Sequence, residues 1–287
     1  MSIRTILTPI DGSPASVETA KAGFCVGREL GAHVDAIHVR TDPKDTIPLL
    51  GEGMSVAMIE DMVEIAEKDS RERRDAASST FNQAASTYDA QITDQPTTAG
   101  FTASWSEEVG RDDEVIARRG RLSDVIIVGR PGDGSDVTAT LSLNAALFET
   151  GRPVMVVPST GIENISNKIA ISWNGSAQSA KAVASAMPLI KNASKVTVFT
   201  IDNDQTSAAR APELVKYLEW HGVEADMRTL EAHGNAVGAE LLREAGGVGA
   251  ELLVMGAYTH SRMRQLILGG VTRHVLENST IPLFMAH

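Results

Sequence analysis

Three blocks of this 287-residue sequence are written twice, in the same order. Residues 5–16 (TILTPIDGSPAS) align without a gap on residues 168–179 (KIAISWNGSAQS). Residues 124–129 (DVIIVG) match 251–256 (ELLVMG), and 152–158 (RPVMVVP) match 281–287 (IPLFMAH), with Pro153 opposite Pro282. Ordered self-similarity on this scale marks a duplicated folding unit, so the chain has to solve one fold twice. The first blocks are offset by 163 positions and the second by 127, which leaves the first copy about 36 residues longer between them.

Within each copy short apolar runs alternate with segments of helical spacing, the pattern of a parallel sheet covered by helices. In the first copy residues 6–10 and 34–39 read as strands, a third strand falls near 101–106, and a helix covers 112–119. In the second, strands fall at 169–173, 196–201 and 226–230, with helices from Ala177 and over 236–245. The expected fold class is α/β: two tandem Rossmann-like domains, 1–158 and 168–287, joined by the polar linker 159–167. A hydrophobic content of 43% with 22% charged residues gives each copy material for a normal core.

The extra residues of the first copy fall in a helical insertion at about 42–100. From Ser55 to about Ser86 an apolar stripe (Val56, Ile59, Val63, Ala66, Ala77, Phe81, Ala84) recurs every three to four residues. Glu64/Lys68, Glu67/Arg71 and Asp69/Arg73 stand four apart beside it. The pattern predicts one amphipathic helix on the order of 45 Å long. It either lies along its own sheet or presents a surface to a protein partner, and exposure of Met54, Met58 and Met62 would favour the second.

A net charge of −11 disfavours general binding to nucleic acid or to anionic membrane surfaces. No run reaches the ~18 apolar residues of a membrane span, and no long apolar region precedes a cleavage site at the N-terminus. The single cysteine, Cys25, cannot form an internal disulfide, which agrees with a reducing compartment. The expected location is the cytoplasm.

The chemistry concentrates in residues 251–277. An apolar strand ends at Gly256, a polar and basic loop follows (Thr259, His260, Arg262, Arg264), and Gly269-Gly270 introduces the helical spacing of Val271, Thr272, Val275 and Leu276. Strand, glycine-edged loop and helix start make an anion site, because the first backbone N–H groups of a helix lack internal partners and carry partial positive charge. Gly256, two residues, Thr259, nine residues, then Gly269 and Gly270 resembles the signature of the universal stress protein family. Thr259 stands where that family has its second glycine, and Gly270 where it has a serine or threonine.

The resemblance implies five parallel strands per domain in the order 3-2-1-4-5, with the two domains paired through their last strands as a pseudo-dimer. Residues 154–158 and 283–287 are apolar and would otherwise be exposed edges. A homodimer of whole chains is a further expectation. The resemblance also implies an adenine nucleotide (ATP, ADP or AMP) in the second copy. Trp173, Asn174 and Ile201 would line base and ribose, with Trp173 either stacking on adenine or filling the pocket. Met255, Gly256, Tyr258 and Thr259 would open the phosphate loop, and Gly269, Gly270, Val271 and Thr272 would close it. Asn174 replaces the family's aspartate, so a Mg²⁺ ion accompanying the nucleotide would have one oxygen ligand fewer.

The first copy keeps Asp11, but Gly129-Arg130-Pro131-Gly132 is followed after nine residues by Ser142 and Leu143 with no closing glycine. Asp133 and Asp136 add negative charge there, so this copy is expected to be empty. His260 has no partner carboxylate at a defined spacing, and nucleophile-elbow, zinc and Walker signatures are absent. A regulatory, non-enzymatic stress protein is therefore the leading expectation. The rivals are a nucleotide-free interaction scaffold and a weak ATP hydrolase or nucleotidyl-transfer enzyme of related fold.

Overall fold

The computed structural model describes residues 2–40, 56–97, 100–132, 137–162, 165, 167–201, 211–231, 237–257 and 270–287. Both copies open with the same local chemistry. Strand β1 (Thr5–Pro9) leads through Asp11 and Gly12 to Ser13, whose hydroxyl accepts from the Ser16 N–H at the start of α1 (Pro14–Leu30). Strand β7 (Lys168–Ser172) leads to Ser176, whose hydroxyl accepts from the Ser179 N–H at the start of α5 (Ala177–Asn192). In each case a serine side chain satisfies a helix-start donor that has no partner inside the helix.

Between these starts the first half continues with β2 (His33–Arg40), α2 (Val56–Thr87), β3 (Gln91–Ile92), β4 (Thr102–Val109), α3 (Asp112–Gly120), β5 (Val125–Gly129), α4 (Val137–Glu149) and β6 (Val154–Val157). The second half continues with β8 (Lys195–Ile201), α6 (Ala211–Trp220), β9 (Ala225–Leu230), α7 (Val237–Gly247), β10 (Leu252–Gly256), α8 (Gly270–Asn278) and β11 (Leu283–Ala286).

The strands form one sheet in the order β3-β4-β2-β1-β5-β6-β11-β10-β7-β8-β9. Pairing is parallel throughout except at the centre, where β6 and β11 run antiparallel with Phe284 opposite Met155. Each half therefore covers the other's apolar last strand, and neither is left as an exposed edge. Two differences from the sequence expectation stand out. The first half carries a sixth, two-residue strand, β3, outside β4, and α6 was not anticipated, although Leu214 and Leu218 recur at helical spacing and are both buried.

Alternation along the strands sends successive side chains to opposite faces, and each face packs its own core. One face holds Ile6, Phe24, Phe81, Ile169, Ile171, Leu189, Val198 and Leu218, under α1, α2, α5 and α6. The other holds Leu7, Ile116, Leu147, Ala170, Phe199, Leu241 and Val275, under α3, α4, α7 and α8. The linker contributes too, since Ile165 is buried in the first of these cores. Among the described residues no helix is long and apolar enough to cross a membrane.

Candidate functional site

In an open parallel sheet the binding crevice lies beyond the carboxyl ends of the strands, where strand order reverses. In the second half that place is set by β7, flanked by β8 and β10: Trp173 N–H donates to the Phe199 carbonyl at 2.8 Å, and Met255 pairs with Ser172. Gly256 closes β10 against the first turn of α5. A Cβ there would lie 2.6 Å from the Ser179 nitrogen and 2.9 Å from the Gln178 carbonyl carbon, so only glycine lets strand and helix meet.

The residues expected to bind are distributed unevenly. Trp173 is half-buried and packs on the core under α5 and α6, whereas Met255 belongs to the core of the opposite face. Ile201 ends β8. Gly270 begins α8, Val271 is half-buried, and Thr272 is buried on the helix face that carries Val275 and Leu276. Tyr258, Thr259 and Gly269 lie outside the described residues, as do His260, Asp133 and Asp136.

Asn174 already has a local partner. Its Oδ1 accepts from the Ser176 N–H at 3.1 Å and from the Ser176 hydroxyl at 2.7 Å, so both lone pairs are in use. In this arrangement the oxygen shapes the turn. Asp11 plays the same part in the first half, where its Oδ1 accepts from the Ser13 N–H at 2.8 Å. Among the described residues no group of three metal-ligating side chains comes together.

The residue that sequence reasoning missed is Thr200. It is 3% exposed on β8, on the same face of the sheet as Trp173, and its Oγ1 has no hydrogen-bond partner. The Trp173 Nε1 is buried and equally without a partner. Two unmet polar atoms on neighbouring strand ends cost the free protein stability, because buried groups of this kind are normally paired.

The first half fills the corresponding space with its own side chains. Ile10 N–H donates to the Ile37 carbonyl just as Trp173 does to Phe199, so Ile10 corresponds to Trp173 and His38 to Thr200. His38 Nδ1 bonds the Ile10 carbonyl at 2.8 Å, and its ring stacks on Trp105, which packs on Phe81 from α2. Aligning the two halves finds Thr200 opposite His38, but only a register for the second strand, not the composition of either, makes that alignment available.

Elsewhere, Met58, Met62 and Ile65 are exposed along the first half of α2, while Ala77, Phe81 and Ala84 are buried in its second half. Burial pushes the Cys25 thiol up, away from the thiolate form a redox role would need.

Residues 167–287 match the model of the universal stress protein family. The second half of the chain carries this family's domain. A universal stress protein of Synechocystis, Slr1230, is 26% identical over 171 residues, and that similarity spans 56% of each chain. A universal stress protein from Archaeoglobus fulgidus DSM 4304 shares the fold over 99% of this chain and 96% of its own, with a TM-score of 0.70 at 13% identity. A Pseudomonas aeruginosa PAO1 protein of unknown function shares it over 98% and 92%, with a TM-score of 0.55 at 12% identity. At these identities the two structures speak for the fold of both halves of this chain and for nothing finer.

Proposed function

We propose that this chain acts as a universal stress protein, a cytoplasmic regulator that binds one adenine nucleotide at the carboxyl ends of β7, β8 and β10, and none in its first half. The observation that carries the reading is the contrast between the halves: Trp173 Nε1 and Thr200 Oγ1 are unmet in the second, whereas His38, Trp105 and Phe81 fill the matching space in the first. A base or ribose edge entering beside Trp173 and Thr200 would satisfy both atoms, and an aromatic base would find the indole face. The helix start at Gly270 supplies N–H groups suited to phosphate. The role in this reading is binding and not turnover.

Mass spectrometry of ligand extracted from purified protein, with titration calorimetry of ATP, ADP and AMP, tests this. One nucleotide per chain, lost on Trp173→Ala, is the expected result. No extracted nucleotide and no heat at millimolar ATP would overturn it.

A second role, recruitment of a protein partner through α2, is favoured by the exposure of Met62 and Ile65 on its first half. A pull-down abolished by Val63→Glu would support it.

A further inference from the structure

The two outer edges of the sheet are built differently. On the first half β4 is itself paired to β3, and its far end carries adjacent acids, Glu107 and Glu108. On the second half β9 is the terminal strand of the sheet, and its residues Asp226, Met227, Arg228 and Thr229 are all exposed. Terminal strands present a row of unpaired backbone donors and acceptors, and a row of like charges along one would repel a second copy. Here the charges alternate in sign about Met227.

We infer that β9 is a homodimerisation edge, pairing antiparallel with β9 of a second copy of this chain about Met227. In that register each Asp226 stands directly opposite the second copy's Arg228, on one face of the sheet, and the two Met227 side chains meet on the other. The contact is isologous, so it closes at two chains. On the first face Asp226 already pairs with Lys195 at 3.2 Å, and Arg228 with Glu244 at 3.4 Å. Dimerisation links these into two four-charge chains of alternating sign, Lys195–Asp226 continued by Arg228–Glu244 from the opposite copy. Networks of this kind contribute more than the isolated exposed pairs they replace.

The other face supplies apolar area. Helix α6 packs beside β9 and ends at Trp220, 81% exposed, with Tyr217 at 41% and Met227 at 46%. Six residues of edge pairing alone bury less than a stable interface needs, and these three side chains extend it. The chain uses the same joint internally, where β6 and β11 meet antiparallel with Phe284 opposite Met155. The β4 edge does not offer the same joint, because β3 already pairs its first residues, Thr102 and Ala103. The assembly therefore stops at a dimer and does not grow into a filament.

Sedimentation velocity on the full chain decides this. At about 100 µM, where a contact of this size should be populated, the wild type runs as a dimer that dissociates on dilution. Asp226→Arg and Arg228→Asp each run as monomers, because each puts like charges opposite one another. An equimolar mixture of the two variants regains the dimer, since every Arg then faces an Asp. Trp220→Ser, at a position too exposed to affect folding, weakens the dimer without touching the ion pairs. A wild type that stays monomeric, single variants that dimerise like it, or a mixture that fails to associate would each overturn the inference.

Discussion

The peptide carbonyl of Arg73, midway along α2, sits where a side chain on Gly12 would have to go. Gly12 follows β1 with φ at +82°, at the mouth of the first half's crevice. The insertion helix thus closes that mouth with its own backbone. A missing closing glycine and the charge of Asp133 and Asp136 were the sequence-based reasons for expecting an empty first half, and the described residues add a steric contact at Gly12. Gly12→Ala should destabilise the protein by about 2–4 kcal/mol, combining an unfavourable positive φ with a clash against backbone that cannot rotate away. Urea unfolding measures it, and a loss below about 0.5 kcal/mol would show that α2 does not press on this loop.

Gly256 and Gly129 occupy matching positions but meet different neighbours. A methyl at Gly256 runs into backbone at Gln178 and Ser179, whereas one at Gly129 meets only the Thr19 hydroxyl at 2.7 Å, which can turn aside. Gly256→Ala should therefore cost at least about 2 kcal/mol and abolish nucleotide binding, and Gly129→Ala should cost about half as much and leave binding intact. Paired denaturation and calorimetry on the two variants check the asymmetry.

Thr200→Val removes a buried hydroxyl that has no partner. The ligand-free protein should gain about 1 kcal/mol in stability, and nucleotide affinity should fall roughly tenfold, because the same hydroxyl is assigned to the ligand. Thr8 supplies the control: its Oγ1 is also unpartnered, at 0% exposure, in the first half. Thr8→Val should stabilise similarly and leave affinity unchanged. A Thr200→Val protein that binds as tightly as the wild type would remove this residue from the site.

Burial holds the His33 imidazole below the usual histidine pKa, against the opposing pull of Asp35. Its Nδ1 bonds Thr102 Oγ1 at 2.8 Å and its Nε2 bonds Ser104 Oγ at 3.0 Å, which ties β2 to β4. With the folded pKa depressed, the unfolded chain takes up the proton first. The contribution of His33 to stability is therefore present above the unfolded pKa of about 6.5 and is lost as pH falls from there toward the folded value. His33→Gln should flatten the stability slope over that window, as read by urea midpoints at a series of pH values. An unchanged slope would assign the pH dependence to other groups.

Much of the fold was legible in the sequence for a definite reason. Strands such as Val125–Gly129 and Leu252–Gly256 are buried on both faces, so they read as continuous apolar runs, and duplication doubled each signal. The helix of the insertion was readable because Ala77, Phe81 and Ala84 keep one stripe over many turns. The two-residue β3 was not readable, since Gln91 and Ile92 are both exposed and carry no pattern. The candidate site was legible only where it is local. Gly256 follows from strand–turn–helix grammar, but the Asn174 turn was not separable from a ligand contact, because an Asx turn and a ligand contact call for the same side chain.

What sequence alone determined, then, was the repeated unit, its class, and the strand ends that bound its crevice, because periodicity and turn chemistry act over a few residues. Tertiary structure decided what packs at the first crevice and which polar atoms stay unmet at the second. The stack of His38, Trp105 and Phe81, the Arg73 carbonyl over Gly12, and the unmet Thr200 hydroxyl each depend on residues brought together from distant strands and helices. No local pattern encodes such contacts, since each is a property of the packing between distant segments.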